Sequence, residues 1–289
     1  MLGLFILPAL LGIGLIWNLT DDDDDEAPVP EPEVVDVPDD ADLFQGTAQS
    51  ETINARDAGG EILAGGGNDI INGSDEVDII NGERGNDVIF ANGGDDVVAG
   101  GQGDDRIFLG DGDDESSSDE DDIAHLAGND FIRGGAGNDF IMDALGSNTV
   151  FGDLGSDSIS VVDGLSSVGI IDPNADFGSA DFASGGFGND EVFGDDGDTL
   201  TGGQGEDVFG VVSDLTRAQE NVEITDFNTS DDTLAVVVVD GDPDDNIVTF
   251  NYDETRGGVI ARAGDTEVAV LQGLTEADIE FIRSELIFA

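Results

Sequence analysis

The sequence contains no cysteine and no lysine, and its only histidine is His125. Without cysteine, disulfide bonds, thiolate metal sites and cysteine nucleophiles are excluded. Without lysine, the chain can form neither a P-loop nor a Schiff-base enzyme. A single histidine also cannot supply the two-histidine zinc motif of metalloproteases.

Basic residues are scarce, and acidic residues dominate the charge. The 289 residues include 67 acidic and 8 basic side chains, which gives a formal net charge of -59. Such a surface repels phosphate, so no nucleic-acid partner is expected. Because 38% of the residues are hydrophobic and 43 are glycine, the composition favours glycine turns that bind cations over a disordered chain. A halophile-type acidic surface is the alternative, but it would not order the glycines.

The first 44 residues form two segments of opposite character. Residues 1–19 are apolar and carry no arginine, which fits an uncleaved membrane anchor, a cleaved signal sequence or a buried segment. Residues 20–44 open with Asp21–Asp25 and contain four prolines, which predicts an extended acidic linker. We therefore expect a membrane as one partner, through residues 1–19, and the body of the protein outside the cytoplasm.

Residues 45–210 repeat with a period of nine, except for a two-residue deletion near Glu115 and an interruption near residues 170–184. The clearest units follow the pattern Gly-Gly-x-Gly-x-Asp-x-apolar-x, or nearly so, and begin at Gly100, Gly134, Gly185 and Gly202. The eighth position is apolar at Ile53, Ile62, Ile71, Ile80, Ile89, Val98, Ile107, Ile123, Ile132, Ile141, Val150, Ile159, Val168, Val192, Leu200 and Phe209. This column predicts short β-strands whose eighth side chains stack into one core.

The sixth position carries the candidate metal ligands. It is aspartate at Asp69, Asp78, Asp87, Asp96, Asp105, Asp114, Asp121, Asp130, Asp139, Asp157, Asp190, Asp198 and Asp207. The preceding glycines permit a tight turn and let backbone carbonyls point at one spot. Calcium takes about 6–8 carboxylate and carbonyl oxygens in flexible geometry, whereas magnesium demands a smaller octahedron. Several Ca²⁺ ions are therefore expected as cofactors; the alternative is a solenoid whose acidic residues are only solvated.

The nonapeptide resembles the RTX (repeats-in-toxin) calcium-binding repeat of hemolysin-type proteins, which is known as a β-helix repeat. The resemblance implies an all-β fold, a parallel β-roll that forms a right-handed β-solenoid. It further implies that two nonapeptides make one coil and that each calcium lies between turns two repeats apart.

This parity predicts two edges of stacked acids. The first edge would stack Asp69, Asp87, Asp105, Asp121, Asp139 and Asp157. The second would stack Asp78, Asp96, Asp114, Asp130, Asn148 and Ser166. Because the second edge loses carboxylates at its end, we expect the first to be the complete calcium ladder.

Residues 211–289 are predicted to be a small β-rich C-terminal cap. Strands are expected over residues 236–239, 247–252, 258–262 and 267–271, with turns at Gly241 and Gly264. A capping-box-like start at Thr275 predicts one helix over Glu276–Glu285. In the RTX family a type I secretion apparatus reads the C-terminus, and Glu285–Ala289 is compatible with that signal. Residues 1–19 are the alternative candidate for the export signal.

The patterns together favour a secreted, non-enzymatic bacterial protein that binds calcium in stacked turns and folds with it, in the extracellular space or at the cell surface. No carboxylate pair stands out as catalytic, and His125 heads a nonapeptide, as a turn residue would. The alternative is a cell-surface adhesin or matrix structural protein, which an outward row of threonine or aromatic residues would support. The outward positions are mixed, with Arg106, Phe131, Phe140, Thr149 and Ser158.

Overall fold

A computed structural model describes residues 32–38, 43–116, 128–143, 146–163, 179–214, 220–239 and 247–288. Several expectations lie outside these ranges: the segment 1–19, Asp121, Ile123, His125, Ser166, Val168 and Gly241.

Two long sheets contain all the strands of the described residues. In spatial order the first sheet consists of β1 (Glu33–Asp36), β3 (Glu51–Asn54), β5 (Ile70–Asn72), β7 (Val88–Gly93), β9 (Arg106–Asp111), β11 (Phe131–Ala136), β13 (Thr149–Leu154), β15 (Phe182–Phe187), β17 (Thr199–Gln204), β19 (Val222–Ile224), β23 (Thr266–Gln272), β22 (Gly258–Ala263) and β21 (Val248–Asp253). The second consists of β2 (Leu43–Gln45), β4 (Gly60–Leu63), β6 (Asp78–Asn81), β8 (Val97–Ala99), β10 (Glu115–Ser116), β12 (Phe140–Met142), β14 (Ser158–Ser160), β16 (Glu191–Gly194), β18 (Val208–Asp214), β20 (Thr233–Val239) and β24 (Arg283–Phe288).

Successive strands alternate between the two sheets up to β21, whereas β21, β22 and β23 all belong to the first sheet. Neighbours within a sheet are parallel except in the hairpins that join these three strands. In the regular part, paired residues are two nonapeptides apart, as in Ile53 with Ile71 and Ile71 with Ile89. One coil therefore contains two nonapeptides and contributes one strand to each sheet. The predicted parallel β-roll is confirmed.

The centre of the core is formed by two columns of eighth-position side chains, one from each sheet. The column of the first sheet contains Ile53, Ile71, Ile89, Ile107, Ile132, Val150, Ala183, Leu200 and Ile224. The column of the second contains Ile62, Ile80, Val98, Ser116, Ile141, Ile159, Val192, Phe209 and Leu234. All of these side chains are buried. Three-residue strands such as β5, β8 and β14 bury a single side chain, so its burial depends on the coils above and below.

The coils do not follow the expected order around the deletion. β9 lies directly beside β11, and β10 directly beside β12, so Ile107 pairs with Ile132 and Ser116 with Ile141. The expected continuation of the core from Ile107 through Ile123 is therefore wrong. Ser116, a polar residue that the apolar pattern passed over, fills the core position instead.

The roll is also longer than predicted at two points. Its first strands, β1 and β2, already pair with β3 and β4 inside the segment expected to be a linker. After the interruption the coil resumes before Ser184, because Phe182 pairs with Thr149 and Ala183 with Val150.

The C-terminal cap contains the expected strands, but its helix differs. Among the described residues there is one helix, a 3₁₀ helix over Glu276–Phe281. The backbone N–H and hydroxyl of Thr275 donate to the Asp278 carboxylate at 2.8 and 2.7 Å, which confirms the predicted start. Its extension to Glu285 is wrong, because β24 pairs with the exposed edge of β20 and covers it. Pairing with β20 outweighs the local helix signal.

Two adjacent isoleucines in β6 allow a matched test of the core. Ile80 is 1% exposed and Ile79 is 49% exposed. We expect Ile80→Ala to lower the free energy of unfolding by about 2–5 kcal/mol, because it leaves a cavity in the stack. Ile79→Ala should change it by less than about 1 kcal/mol. Urea unfolding at saturating calcium measures both, and equal losses would contradict the assignment of the core column.

Candidate metal centre

From β5 to β18, each strand of the roll begins at or directly after a turn that ends on a buried polar residue, and β3 begins with the buried Glu51. Before the strands of the first sheet these residues form the first carboxylate ladder: Glu51, Asp69, Asp87, Asp105, Asp130, Asn148, Asp181 and Asp198. Before the strands of the second sheet they form the second carboxylate ladder: Asp78, Asp96, Asp114, Asp139, Asp157, Asp190, Asp207 and Asp232. Every member is at most 8% exposed.

One carboxylate oxygen of each ladder aspartate except Asp78 accepts a hydrogen bond from a backbone N–H of the preceding coil; Asp78 accepts from Ser74 of its own turn instead. The N–H of Asp69 donates to Oδ1 of Asp87 at 2.8 Å, and the N–H of Asp87 donates to Oδ1 of Asp105 at 2.8 Å. The second ladder repeats this contact, for example from the N–H of Asp139 to Oδ1 of Asp157 at 2.9 Å. The aspartate thus replaces a backbone carbonyl as the acceptor that joins two coils.

The other carboxylate oxygen is buried and has no hydrogen-bond partner among the described residues. This holds for Oδ2 of Asp69, Asp87, Asp96, Asp105, Asp114, Asp139, Asp157, Asp181 and Asp190, and for Oδ1 of Asp78. A buried carboxylate oxygen without a partner is strongly unfavourable, and the same orphaned atom recurs from coil to coil. A hard cation with a preference for oxygen ligands would provide the missing partner.

Glycines in the turns leave the room that this arrangement needs. A Cβ added at Gly152 would overlap Oδ2 of Asp157. Gly85 has φ +138°, and a Cβ there would overlap the carbonyl oxygen of Gly67 in the preceding coil. The first glycine of the nonapeptide therefore clears space around the carboxylate, and the glycine at position four allows successive turns to stack closely.

Burial makes these carboxyl groups weak acids. It raises the pKa of Asp105 to about 8, assisted by repulsion from Asp130 and Asp87 and opposed by the hydrogen bond from the Asp87 N–H. Burial likewise raises the pKa of Asp87 and Asp139 to about 7. At neutral pH the ladders therefore favour a bound proton or a bound cation over a bare negative charge.

Of the thirteen predicted ligands, the structure places twelve on the two ladders, all except Asp121, which lies outside the described residues. Their expected stacking is wrong beyond the deletion. The N–H of Asp105 donates to Asp130 at 2.7 Å, and that of Asp114 donates to Asp139 at 3.0 Å. The coil from Asp105 to Asp130 is seven residues longer than a regular coil of 18 residues, so the aspartates that follow it lie on the opposite edges from those predicted.

The expectation that the first edge is the complete one is therefore also wrong. Asn148 now interrupts the first ladder, whereas the second is aspartate from Asp78 to Asp232. The sequence reasoning missed Asp181 and Asp232. Both are followed two residues later by a buried apolar residue, Ala183 or Leu234, and this Asp-x-apolar signal could have found them.

The two sheets, the glycine turns and the buried acids define a parallel β-roll whose stacked carboxylates are candidate cation ligands. A comparison with known families matches the RTX calcium-binding nonapeptide repeat in four copies, at residues 61–89, 82–116, 126–159 and 177–209. Residues 61–209 of this chain therefore contain RTX calcium-binding nonapeptide repeats, and these repeats form a parallel β-roll. No curated protein matches the chain.

The steric role of the turn glycines can be tested with two glycines that both have positive φ. Gly85→Ala places a methyl group against the Gly67 carbonyl, whereas Gly257 has φ +70° and open space around it. We expect Gly257→Ala to cost about 1–2 kcal/mol, from backbone strain alone. Gly85→Ala should cost at least about 3 kcal/mol in calcium-saturated urea unfolding. Similar losses would show that close stacking is not what requires glycine.

The raised pKa values predict an unusual pH dependence in the absence of metal. Because the folded pKa values of Asp87, Asp105 and Asp139 lie above the ordinary 3.8, the folded roll binds more protons than the unfolded chain. Its calcium-free stability should be greatest in acid and be lost as pH rises through about 6–8. Calcium uptake should release protons.

Far-UV circular dichroism of the metal-free protein between about pH 5 and about pH 8.5 measures this effect. Light scattering serves as the control for acid precipitation. A metal-free β signal that increases with pH would contradict the prediction.

Proposed function

We propose that the protein binds several calcium ions along both carboxylate ladders and acquires its fold as they bind. The carboxylates of the predicted aspartates, including Asp121, and carbonyls of the glycine turns would hold the ions. The observation that carries the proposal is the orphaned buried oxygen that recurs along each ladder. Bound calcium supplies positive charge between like-charged groups, and the stacked turns present the oxygens that receive it.

We further propose that the protein is exported and acts without catalysis. With a net charge of -59, an ion-free chain repels itself, so it would stay open where calcium is scarce and fold where calcium is plentiful. The export address is either residues 1–19 or the C-terminus read by a type I secretion apparatus. No helix within the described ranges is long and apolar enough to cross a membrane.

A calcium titration of the full chain tests the proposal. We expect little β signal in chelator near neutral pH and a cooperative gain of far-UV β signal with calcium, which magnesium does not reproduce. A complete β signal in chelator that calcium leaves unchanged would mean that the aliphatic columns alone fold the roll. That outcome would overturn the calcium-dependent fold.

Asp105→Asn is the informative variant for this titration. It keeps the size of a buried side chain whose Oδ2 lacks a partner, but removes its charge. We expect the calcium midpoint to increase about three- to tenfold, since a ligand charge is lost from adjoining sites. Asp265→Asn, at an exposed turn of the cap, removes the same charge and should leave the midpoint unchanged.

One observation favours a second candidate, a cell-surface adhesin or matrix protein. The outer face of the first sheet carries a continuous row of five partly buried rings, Phe90, Phe108, Phe131, Phe151 and Phe182. Their centroids are 5.0–5.8 Å apart. Such an outward aromatic row is what a binding face would require.

Adhesion of the calcium-loaded protein to cells or matrix tests this candidate. Phe131→Ser with Phe151→Ser should weaken adhesion at unchanged calcium midpoint. Val77→Ser, at an apolar residue that is 56% exposed elsewhere on the roll, is the control. Equal adhesion of all three proteins would remove the candidate.

A further inference from the structure

The first carboxylate ladder loses its regular spacing after Asn148. Its next members are Asp181, 33 residues later, and Asp198, a further 17 residues on. Two aspartates outside the sixth position, Asp163 and Asp195, are buried in the turns of these irregular coils. Asp163, Asp181, Asp195 and Asp198 are each at most 3% exposed, and we call them the interruption cluster.

Hydrogen bonds connect the four residues into one unit. Asp198 accepts from two backbone N–H groups, that of Asp181 at 2.8 Å and that of Asp195 at 2.7 Å. The N–H of Asp163 donates to Oδ1 of Asp195 at 3.5 Å. The hydroxyl of Ser179 donates to Oδ2 of Asp163 at 3.0 Å. A regular ladder position has one carboxylate per coil, whereas this region has two in each of two successive coils, Asp163 with Asp181 and Asp195 with Asp198.

The cluster contains an unsatisfied group. Oδ2 of Asp181 is buried without a hydrogen-bond partner, and the charges that Asp181 faces are those of Asp198 and Asp163. Burial and then repulsion from Asp198 and Asp163 raise the pKa of Asp195 to about 9. In the described part of the chain no arginine offsets the charge of Asp181, Asp195 or Asp198.

We propose that the interruption cluster is a divalent-cation site that combines Asp181 and Asp198 of the first carboxylate ladder with two aspartates outside the ladders, with calcium as the ion that its all-oxygen ligands suit best. Its additional ligands are Asp163 and Asp195, with the Ser179 hydroxyl beside them. No three carboxylates of the described residues surround one point as they stand, so the ion draws them together by rotation of their side chains.

The number of charged ligands determines how tightly this site binds calcium compared with the nonapeptide sites. Calcium affinity increases with the number of charged ligands and with the rigidity of the site. A ladder position joins the carboxylates of two successive coils, whereas the cluster brings four. The interruption cluster therefore fills first, at calcium concentrations at which the nonapeptide sites are still empty. This inference rests on the proposed function in one respect, that the ion is calcium. It does not require that the ladders bind calcium.

The test is calcium binding to the full-length chain in competition with a fluorescent chelator, with the number of bound ions counted by native mass spectrometry. The double variant Asp163→Asn with Asp195→Asn should weaken the first binding step at least tenfold and bind one ion fewer. Asp87→Asn, which removes a ladder ligand, should leave the first step unchanged and affect later ones. Asp265→Asn controls for charge alone.

Two outcomes overturn the proposal: an unchanged first step in the double variant, or loss of the first step in Asp87→Asn. If only one ion binds, and the double variant removes it, the cluster is a site and the ladders are not. Should the double variant fail to fold, crystals of the unaltered protein grown with calcium decide. Density for an ion among Asp163, Asp195 and Asp198 supports the site, and occupied ladders beside an empty cluster would falsify it.

Discussion

The whole roll depends on one hydrogen bond, in which a carboxylate oxygen of a buried aspartate accepts from a backbone N–H of the preceding coil. The other oxygen of that carboxylate has no partner among the described residues. Each regular coil contains two such aspartates and two buried core side chains. Burial of one aliphatic side chain contributes about 1.5–3 kcal/mol, and burial of an uncompensated carboxylate costs several kcal/mol. Two ionised aspartates per coil therefore offset much of what the core columns contribute, and a proton or a cation on the ladders would remove that cost.

A second set of side chains ties the turns together in the opposite direction. At the fifth position of the nonapeptide, the N–H of each residue donates to the side chain of the preceding coil. Examples are Asn86 to Oδ1 of Asn68 at 3.0 Å and Ser156 to Oδ1 of Asn138 at 2.9 Å. At the sixth position the acceptor belongs to the following coil. Each turn is therefore held from both sides, and many fifth-position acceptors are neutral, so these bonds do not depend on a cation.

The repeat made most of the fold predictable, because each buried position recurs with the same local sequence. The features that the sequence did not predict are those that depend on contacts between coils. Asp121 continues the sixth-position series in the sequence, although Asp119 stands where most of the repeats have glycine. In the structure the N–H of Asp105 donates to Asp130, and Ser116 pairs with Ile141. The phenylalanine row was hidden for the same reason. Phe131 and Phe151 occupy different positions of their repeats and meet only across neighbouring strands, with ring centroids 5.8 Å apart.

The helix boundary shows a different limit. The Thr275 capping signal is local and is present in the structure. The end of the helix depends on β20, some fifty residues earlier, whose exposed edge pairs with Arg283–Phe288. An open solenoid end exposes strand edges that favour pairing. The last strand of the cap forms because it covers such an edge. The sequence near Thr275 carries no information about that edge.

The same logic explains why the roll tolerates irregular coils. A longer connection adds only slowly to the entropy of loop closure, about 0.6 kcal/mol for each doubling of length. An irregular coil fits into the roll if its ladder residue and its core residue still pair with the corresponding residues of the neighbouring coil. The coil that leads from Asn148 to Asp181 spans 33 residues, yet Asp181 accepts the Asn148 N–H and Ala183 pairs with Val150. Interruptions are therefore where a roll can gain side chains, such as Asp163, that the nonapeptide itself does not provide.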